Sequence, residues 1–250
     1  MSLKLKNKVC IVTGATSGMG KAIAERFSDE GALLILSGRD IERGEKLAKK
    51  LKHSIFVAGD ISKSASNKKL VEAALSQFGK IDILSLNAGT LGLGKVTKLP
   101  IASWQRTLDT NLSALFYLSK YAIPELLKQD GSTILINASI AAYKSFPNHP
   151  AYCASKAASL ALMKQMAVEY APGIRINAIC PGPVDTPLLY DSAKAFGHPG
   201  TAVENAAKAT LLKRLGTPED IGKLALFLVS DDASWITGTA MTIDGGIMNV

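Results

Sequence analysis

Cysteine and histidine are both scarce, three of each in 250 residues. The cysteines, Cys10, Cys153 and Cys180, are odd in number and lie in segments that read as strands or a helix. That fits buried free thiols in a reducing compartment and argues against a disulfide framework. With so few histidines and no Cys/His cluster, no metal site is expected. No apolar stretch approaches the ~20 residues of a membrane span. Internal repeats, low-complexity tracts and Pro/Ser-rich linkers are all missing, so residues 1–250 are expected to form one domain. The N-terminal run Met1–Lys8 leads straight into a strand-like segment and leaves no room for a signal peptide, so a cytoplasmic location is expected. Acidic residues are the scarcer charge, 21 against 29 Lys and Arg, which gives a net +8. The lysines are scattered over helical faces, most densely at Lys46, Lys49, Lys50 and Lys52, and read as solvated surface. A nucleic-acid partner is not expected.

What is present is an alternation. Short apolar runs near residues 8–13, 32–37, 54–58, 81–86, 132–137, 174–180 and 239–243 read as strands. Helical patterns at about 18–30, 40–51, 64–78, 103–129, 151–171 and 219–229 fill the gaps. This order predicts an α/β fold with a parallel sheet covered by helices on both faces. Ligands of such sheets bind beyond the carboxyl ends of the strands.

The first strand runs into Thr13-Gly14-Ala-Thr16-Ser17-Gly18-Met19-Gly20 and then a helix. Strand, glycine turn and helix in that order are the context of a dinucleotide site: the glycines allow a tight turn and close backbone approach, and the helix N-terminus faces the pyrophosphate. Further along, Tyr152-Cys-Ala-Ser-Lys156 sets a phenol and an ammonium one helical turn apart on one face. A cation there is expected to bring the phenol's pKa down toward the working range. Ser139 follows the apolar run Ile134–Ala138 and offers a hydroxyl to a substrate oxygen.

The T-G-x-x-x-G-x-G spacing, with Asn111, Ser139, Tyr152 and Lys156, resembles the short-chain dehydrogenase/reductase family over nearly the whole chain. Asp60-Ile61, Asn87-Ala88-Gly89, Pro181-Gly182 and Gly238…Asp244-Gly245-Gly246 fall in register with it, while Leu86 departs from the family's N-N-A-G segment. The resemblance implies a Rossmann fold with seven parallel strands in the order 3-2-1-4-5-6-7. It implies hydride exchange between a nicotinamide and a carbonyl or secondary alcohol. Tyr152 would be the general acid/base, Lys156 its pKa modulator and ribose ligand, Ser139 the substrate anchor, and Asn111 the holder of a water leading to Lys156. Cofactor contacts are implied for Gly14, Thr16, Ser17, Gly18, Met19, Gly20, Arg39, Asp60, Ile61, Asn87, Ala88, Gly89, Tyr152, Lys156, Pro181, Gly182, Val184 and Thr186.

At the end of the second strand, Gly38 occupies the position that carries Asp in NAD-using relatives. Arg39 follows it and can clamp a 2′-phosphate, with a possible hydroxyl from Ser37, so NADP(H) is expected ahead of NAD(H). Asp40 is read as a helix cap, and a cap is also the plain alternative for Asp60. The substrate pocket is expected to involve Ser139, Ile140, Ala141, Phe146, His149, Leu188, Leu189 and Tyr190, under a mobile lid at 185–215. That apolar set favours a ketone, secondary alcohol or acyl thioester over a sugar, with overall similarity near the 3-oxoacyl-carrier-protein reductases. For His149, a loop residue with no role is the stronger reading. A regulator that binds a dinucleotide without turnover is the competing reading, and the intact Asn/Ser/Tyr/Lys set counts against it. The family's habit implies a homotetramer paired through the helices at 103–129 and 151–171 and through Trp235–Val250.

Overall fold

A computed structural model of the chain describes residues 3–249, so Met1, Ser2 and Val250, at the two ends of segments singled out above, lie outside the described residues. Seven strands, β1 (Val9–Thr13), β2 (Leu33–Gly38), β3 (Ser54–Ala58), β4 (Ile83–Leu86), β5 (Ser132–Asn137), β6 (Ile174–Pro181) and β7 (Ala240–Ile243), form one sheet. Their order is β3-β2-β1-β4-β5-β6-β7, and every neighbouring pair is parallel, as expected. The connections carry helices α1 (Gly18–Asp29), α2 (Ile41–Lys50), α3 (Ser64–Phe78), α4 (Ile101–Leu108), α5 (Ala114–Leu126), α6 (Pro150–Tyr170), α7 (Pro187–Ala193), α8 (Pro199–Ala209) and α9 (Pro218–Val229).

Strands β1, β4 and β5 are buried along their whole length, which is why they read as continuous apolar runs without alternation. Successive residues feed opposite faces. Ile11, Ile35, Leu84 and Ile134 pack with Leu70 of α3, Leu118 of α5 and Met163 of α6. Cys10, Leu34, Ile83 and Leu135 pack with Ile23 and Phe27 of α1 and Ala225 of α9. The strand order reverses between β1 and β4, the switch point beyond whose carboxyl ends ligands of such sheets bind. Among the described residues no helix is long and apolar enough to cross a membrane.

Two differences from the sequence reading bear on function. The helix expected at 103–129 is two helices, α4 and α5, joined by a π-helical turn at Asp109–Ser113 that contains Asn111. The segment 185–215 holds two helices, α7 and α8, where only loop was expected.

Helix α2 lies so close to β3 that its Gly44 has no room for a side chain. A Cβ there would fall 2.5 Å from Phe56 Cδ2 and closer still to Cε2 and Cζ. Helix propensity alone favours Gly44→Ala by up to ~1 kcal/mol. The collision outweighs it, and we expect net destabilisation of roughly 1–3 kcal/mol. Thermal denaturation checks this; an unchanged or raised Tm would contradict it.

Candidate active site

The loop after β1 is a cradle. Gly14 has φ +64°, and a Cβ on it would fall 2.9 Å from Ala88 Cα, so this turn packs directly on the loop after β4. A Cβ on Gly20 would collide with the Gly14 carbonyl. Helix α1 begins at Gly18 with no side chain capping its N-terminus and no acidic residue in its first turn. Its free N–H groups and positive dipole end are therefore available to an anion.

Asn87 ties the crevice together. Its backbone N–H donates to Thr13 Oγ1 (3.0 Å), and its side-chain amide donates to the Ser85 carbonyl (3.0 Å) and Ser85 Oγ (3.0 Å). Asn87 thus adds side-chain bonds to the backbone pairing of β4 with β1, and Leu86 before it is buried in the core. The buried Oδ1 atoms of Asn87 and Asn137 find no hydrogen-bond donor among the described residues.

At the end of β2, a Cβ on Gly38 would stand 2.6 Å from Thr16 Cγ2 and 3.0 Å from its hydroxyl, so an acidic side chain could not enter without displacing Thr16. Asp40 caps α2 by accepting from Arg43 N (2.9 Å) and pairs with the Arg43 side chain (2.6 Å). Arg39 is exposed and has no ion-pair partner among the described residues. Ser37 is sealed in the sheet at 1% exposure, which corrects the expectation that its hydroxyl joins Arg39 at the surface. Asp60 accepts from Ser62 N (3.0 Å), while Lys63 takes the N-cap position of α3, so Asp60 is a turn residue and not the helix cap. Burial pushes its carboxyl up, but the Ser62 hydrogen bonds and the Arg39 and Arg106 charges hold it below the usual range. Ile61 beside it is buried against the core.

The polar cluster assembles at the carboxyl edge from four separate elements. Tyr152 and Lys156 lie one turn apart on α6, with Lys156 Nζ 5.6 Å from the Tyr152 ring centroid. Lys156 is buried and donates to the Asn137 carbonyl at the end of β5 (2.7 Å). Ser139 caps a short 3-10 turn, its hydroxyl accepting from Ala141 N (3.1 Å). Asn111 projects from the π turn; it donates to the Thr90 carbonyl (2.9 Å) and Ser155 Oγ (2.9 Å) and accepts from Thr90 N (2.8 Å). A π turn widens the helix by one residue, a feature frequent at functional sites. Gly89 borders the space between Asn111 and Lys156: a Cβ there would lie 3.5 Å from Asn111 Oδ1 and 3.8 Å from Lys156 Nζ.

The electrostatics differ from the expectation that Lys156 lowers the phenol. Burial pushes Tyr152 up to about 12, opposed by its hydrogen bond with Ser139. Burial pushes Lys156 down to about 8. Desolvation thus overrides the ammonium's pull, because Nζ is directed at the Asn137 carbonyl and not at the phenol oxygen.

Beyond Ser139 and Tyr152 opens a cavity of about 520 Å³, bounded by Met19, Pro181–Val184 and Thr186 on one side and by α7 and α8 on the other. Ile140, Ala141, Phe146, His149, Leu188 and Leu189 line it. Tyr190 does not: it is half exposed and donates to Asp185 Oδ1 (3.0 Å). Leu91, Phe196, Ala206 and Ile247 are wall residues that the sequence reading missed. The α8 contribution had a signal, since Pro199 at N1 followed by Ala202, Val203, Ala206 and Ala209 is a helix start with one small apolar face. His149, read as a loop residue without a role, is buried, with Nδ1 at 2.6 Å from the Pro147 carbonyl and Nε2 at 2.8 Å from Ser192 Oγ of α7. Burial lowers its pKa, opposed by the Pro147 hydrogen bond.

A doubly covered parallel sheet with an open helix N-terminus, a glycine cradle and a Ser/Tyr/Lys cluster beside a cavity defines a dinucleotide-dependent oxidoreductase. Comparison with known proteins agrees. A family model described as enoyl-(acyl carrier protein) reductase matches residues 14–248. Cyclohexanol dehydrogenase of Acinetobacter sp. (strain SE19) is 35% identical, covering 98% of this chain and 96% of its own. The crystal structure of L-sorbose reductase from Gluconobacter frateurii complexed with NADPH and L-sorbose superposes with a TM-score of 0.93 at 31% identity, covering 100% of both chains. That of aldohexose dehydrogenase from Thermoplasma acidophilum gives a TM-score of 0.92 at 33% identity, covering 100% of this chain and 97% of that one. The chain belongs to the short-chain dehydrogenase/reductase family. It is an NAD(P)-dependent enzyme acting on alcohol or carbonyl groups of small molecules.

Proposed function

We propose that this enzyme reduces a carbonyl compound with NADP(H), and runs the reverse oxidation, with Tyr152 exchanging the proton at the substrate oxygen. The observation that carries this reading is the Ser139/Tyr152/Lys156 cluster at the carboxyl edge between the glycine cradle and the cavity, its ammonium buried. The residues present suit a dinucleotide: the uncapped start of α1 for the pyrophosphate, Thr16, Ser17 and Met19 of its turn, Asp60 and Ile61 for the adenosine, Asn87–Gly89, Lys156, Pro181, Gly182, Val184 and Thr186 for the nicotinamide half. When bound, the nicotinamide supplies or accepts the hydride.

The chain's own residues manage the oxygen. Ser139 holds it by hydrogen bonding. Tyr152, whose phenol is held protonated, donates its proton as the carbonyl becomes an alkoxide. Lys156 returns a proton to the phenolate and is refilled from solvent past Asn111. A phenol raised to about 12 is protonated at neutral pH, which suits the acid role in reduction.

NADP(H) is preferred over NAD(H) in this reading. Support comes from the blocked space at Gly38 and the unpaired, exposed Arg39. Arg39→Ala is expected to weaken NADPH binding about 10–100-fold, the worth of a charge-assisted pair, and to leave NADH within about twofold. Parallel fluorescence titrations check it. Tighter binding of NADH than NADPH to the unsubstituted protein would overturn the assignment.

Residues 185–215 are proposed as a lid on a single domain spanning 1–250; α7 and α8 within them form the outer wall of the cavity. The names of related proteins divide between a ring alcohol and sugars, so either kind of substrate is open on kinship alone. A homotetramer is proposed, paired through α4, α5, α6 and the C-terminal segment, where Phe116 (51%), Val168 (79%) and Trp235 (99%) are exposed apolar side chains. Light scattering should give a four-chain mass; a monomer mass would contradict it. A cytoplasmic location is proposed from the three free thiols.

A further inference from the structure

The cavity wall has no charged residue and few free polar atoms. Asp, Glu, Lys and Arg are all missing from its lining. The apolar wall is built by Leu91, Ile140, Phe146, Leu189, Phe196 and Ala206. The polar side chains in it are almost all engaged elsewhere. The Pro147 carbonyl can only accept, so His149 Nδ1 carries the proton and donates to it, and Nε2 then accepts from the Ser192 hydroxyl. Both nitrogens are engaged, and His149 offers the substrate only its ring, among Phe146, Tyr152 and Phe196 at centroid distances of 6.2–6.3 Å. Thr186 donates to the Val184 carbonyl (3.2 Å) and Thr201 to the His198 carbonyl (3.1 Å). His198 and Asn205 sit at the exposed rim. Only the Ser139 and Tyr152 hydroxyls remain at the deep end.

We infer that the substrate is a neutral ketone, or its secondary alcohol, with a compact apolar body and a single oxygen function, and that sugars, polyols and charged acyl thioesters are poor substrates. The inference rests on the hydride-transfer reading of the same site. One carbonyl oxygen can accept from these two hydroxyls. Each further hydroxyl of a sugar would be desolvated without a partner, at a cost of roughly tenfold in affinity. A phosphate or carboxylate would find no cation in the wall. Part of the cavity's 520 Å³ serves the nicotinamide, which leaves room for a body of about one or two carbocycles.

The test measures kcat/KM with NADPH for 4-ethylcyclohexanone, L-sorbose and acetoacetyl-coenzyme A, together with the melting temperature of the protein–NADP⁺ complex titrated with each. The ketone is expected to exceed both others by at least about 100-fold, since several hydroxyls or charges are left unpaired. Sorbose or the thioester within tenfold of the ketone would overturn the inference and leave the oxidoreductase reading intact. If nothing turns over but the ketone alone raises the melting temperature saturably, the cavity inference stands and hydride transfer by this site fails. If nothing turns over and the ketone does not bind, the inference fails. As a second arm, Ala206→Asp puts a carboxylate in the wall; it should lower kcat/KM for the ketone at least about tenfold and leave the NADPH Kd unchanged. An unaffected kcat/KM would count against the inference.

Discussion

Tyr152→Phe is expected to lower kcat about 10³-fold or more, roughly 4 kcal/mol of transition-state stabilisation. The phenol is the acidic group beside Ser139 that lines the cavity, and Phe keeps the ring while removing the group that protonates the forming alkoxide. Affinity for NADPH should stay within about threefold, because the pyrophosphate cradle and Arg39 lie on other elements. The fold should be undisturbed, since the hydroxyl's hydrogen-bond partner is Ser139 and that side chain keeps its bond from Ala141 N. Steady-state kinetics with a parallel NADPH titration separates the two quantities. Turnover retained within tenfold would remove Tyr152 from the mechanism.

The second large effect is expected at Lys156, and it has opposite signs for activity and stability. Lys156→Met should lower kcat at least about 100-fold, by removing the ammonium that refills the phenol. For the wild type, reduction requires the proton on this pair, so kcat/KM should decline as pH rises past about 8, where Lys156 titrates. The decline should vanish in Lys156→Met. Stability moves the other way. The folded pKa of about 8 lies below the ordinary 10.5, so at neutral pH the fold carries a desolvated ammonium at a cost of ~3 kcal/mol. Between pH 8 and 10 the unfolded chain holds that proton while the folded chain releases it, and wild-type stability should climb with pH. Above pH 10 Tyr152, raised to about 12, contributes a fall of the opposite sign. Met at 156 forgoes the Asn137 hydrogen bond, worth ~1 kcal/mol, but also the desolvation cost. A net gain of about 2 kcal/mol at pH 7, roughly 4–8 °C in Tm, is expected. A Lys156→Met protein less stable than wild type at pH 7 would show that burial is not what perturbs this lysine.

Most of the fold was legible because its signals are local. Each strand of the sheet is a short apolar run bounded by turn residues, and Gly14–Gly20 sits between a strand and a helix as the cradle requires. The i, i+4 spacing of Tyr152 and Lys156 fixes their relation without any tertiary knowledge. What escaped depends on long-range packing. The direction of the Tyr152 shift is decided by burial in the assembled fold, which brings residues 181–206, about 30 to 54 positions on, into the same cavity. Sequence proximity suggested an ammonium acting on the phenol, whereas the fold directs Nζ to Asn137. The break at Asn111 arises because its amide hydrogen-bonds Thr90, a partner in another loop. Helices α7 and α8 were hidden by Pro187 and Pro199, which look like helix breakers but stand in the first turn, where proline is tolerated. That oversight also put Tyr190 in the cavity in place of Phe196 and Ala206.

The measurement closest to the central claim is isotope transfer. The protein is incubated with 4-ethylcyclohexanone and NADPH carrying deuterium at both C4 positions, and the alcohol is analysed by mass spectrometry. A single deuterium on the carbinol carbon with the wild type, and none with Tyr152→Phe on the same timescale, is the predicted result. NADPH binding without deuterium in the product, or equal transfer by Tyr152→Phe, would contradict the account.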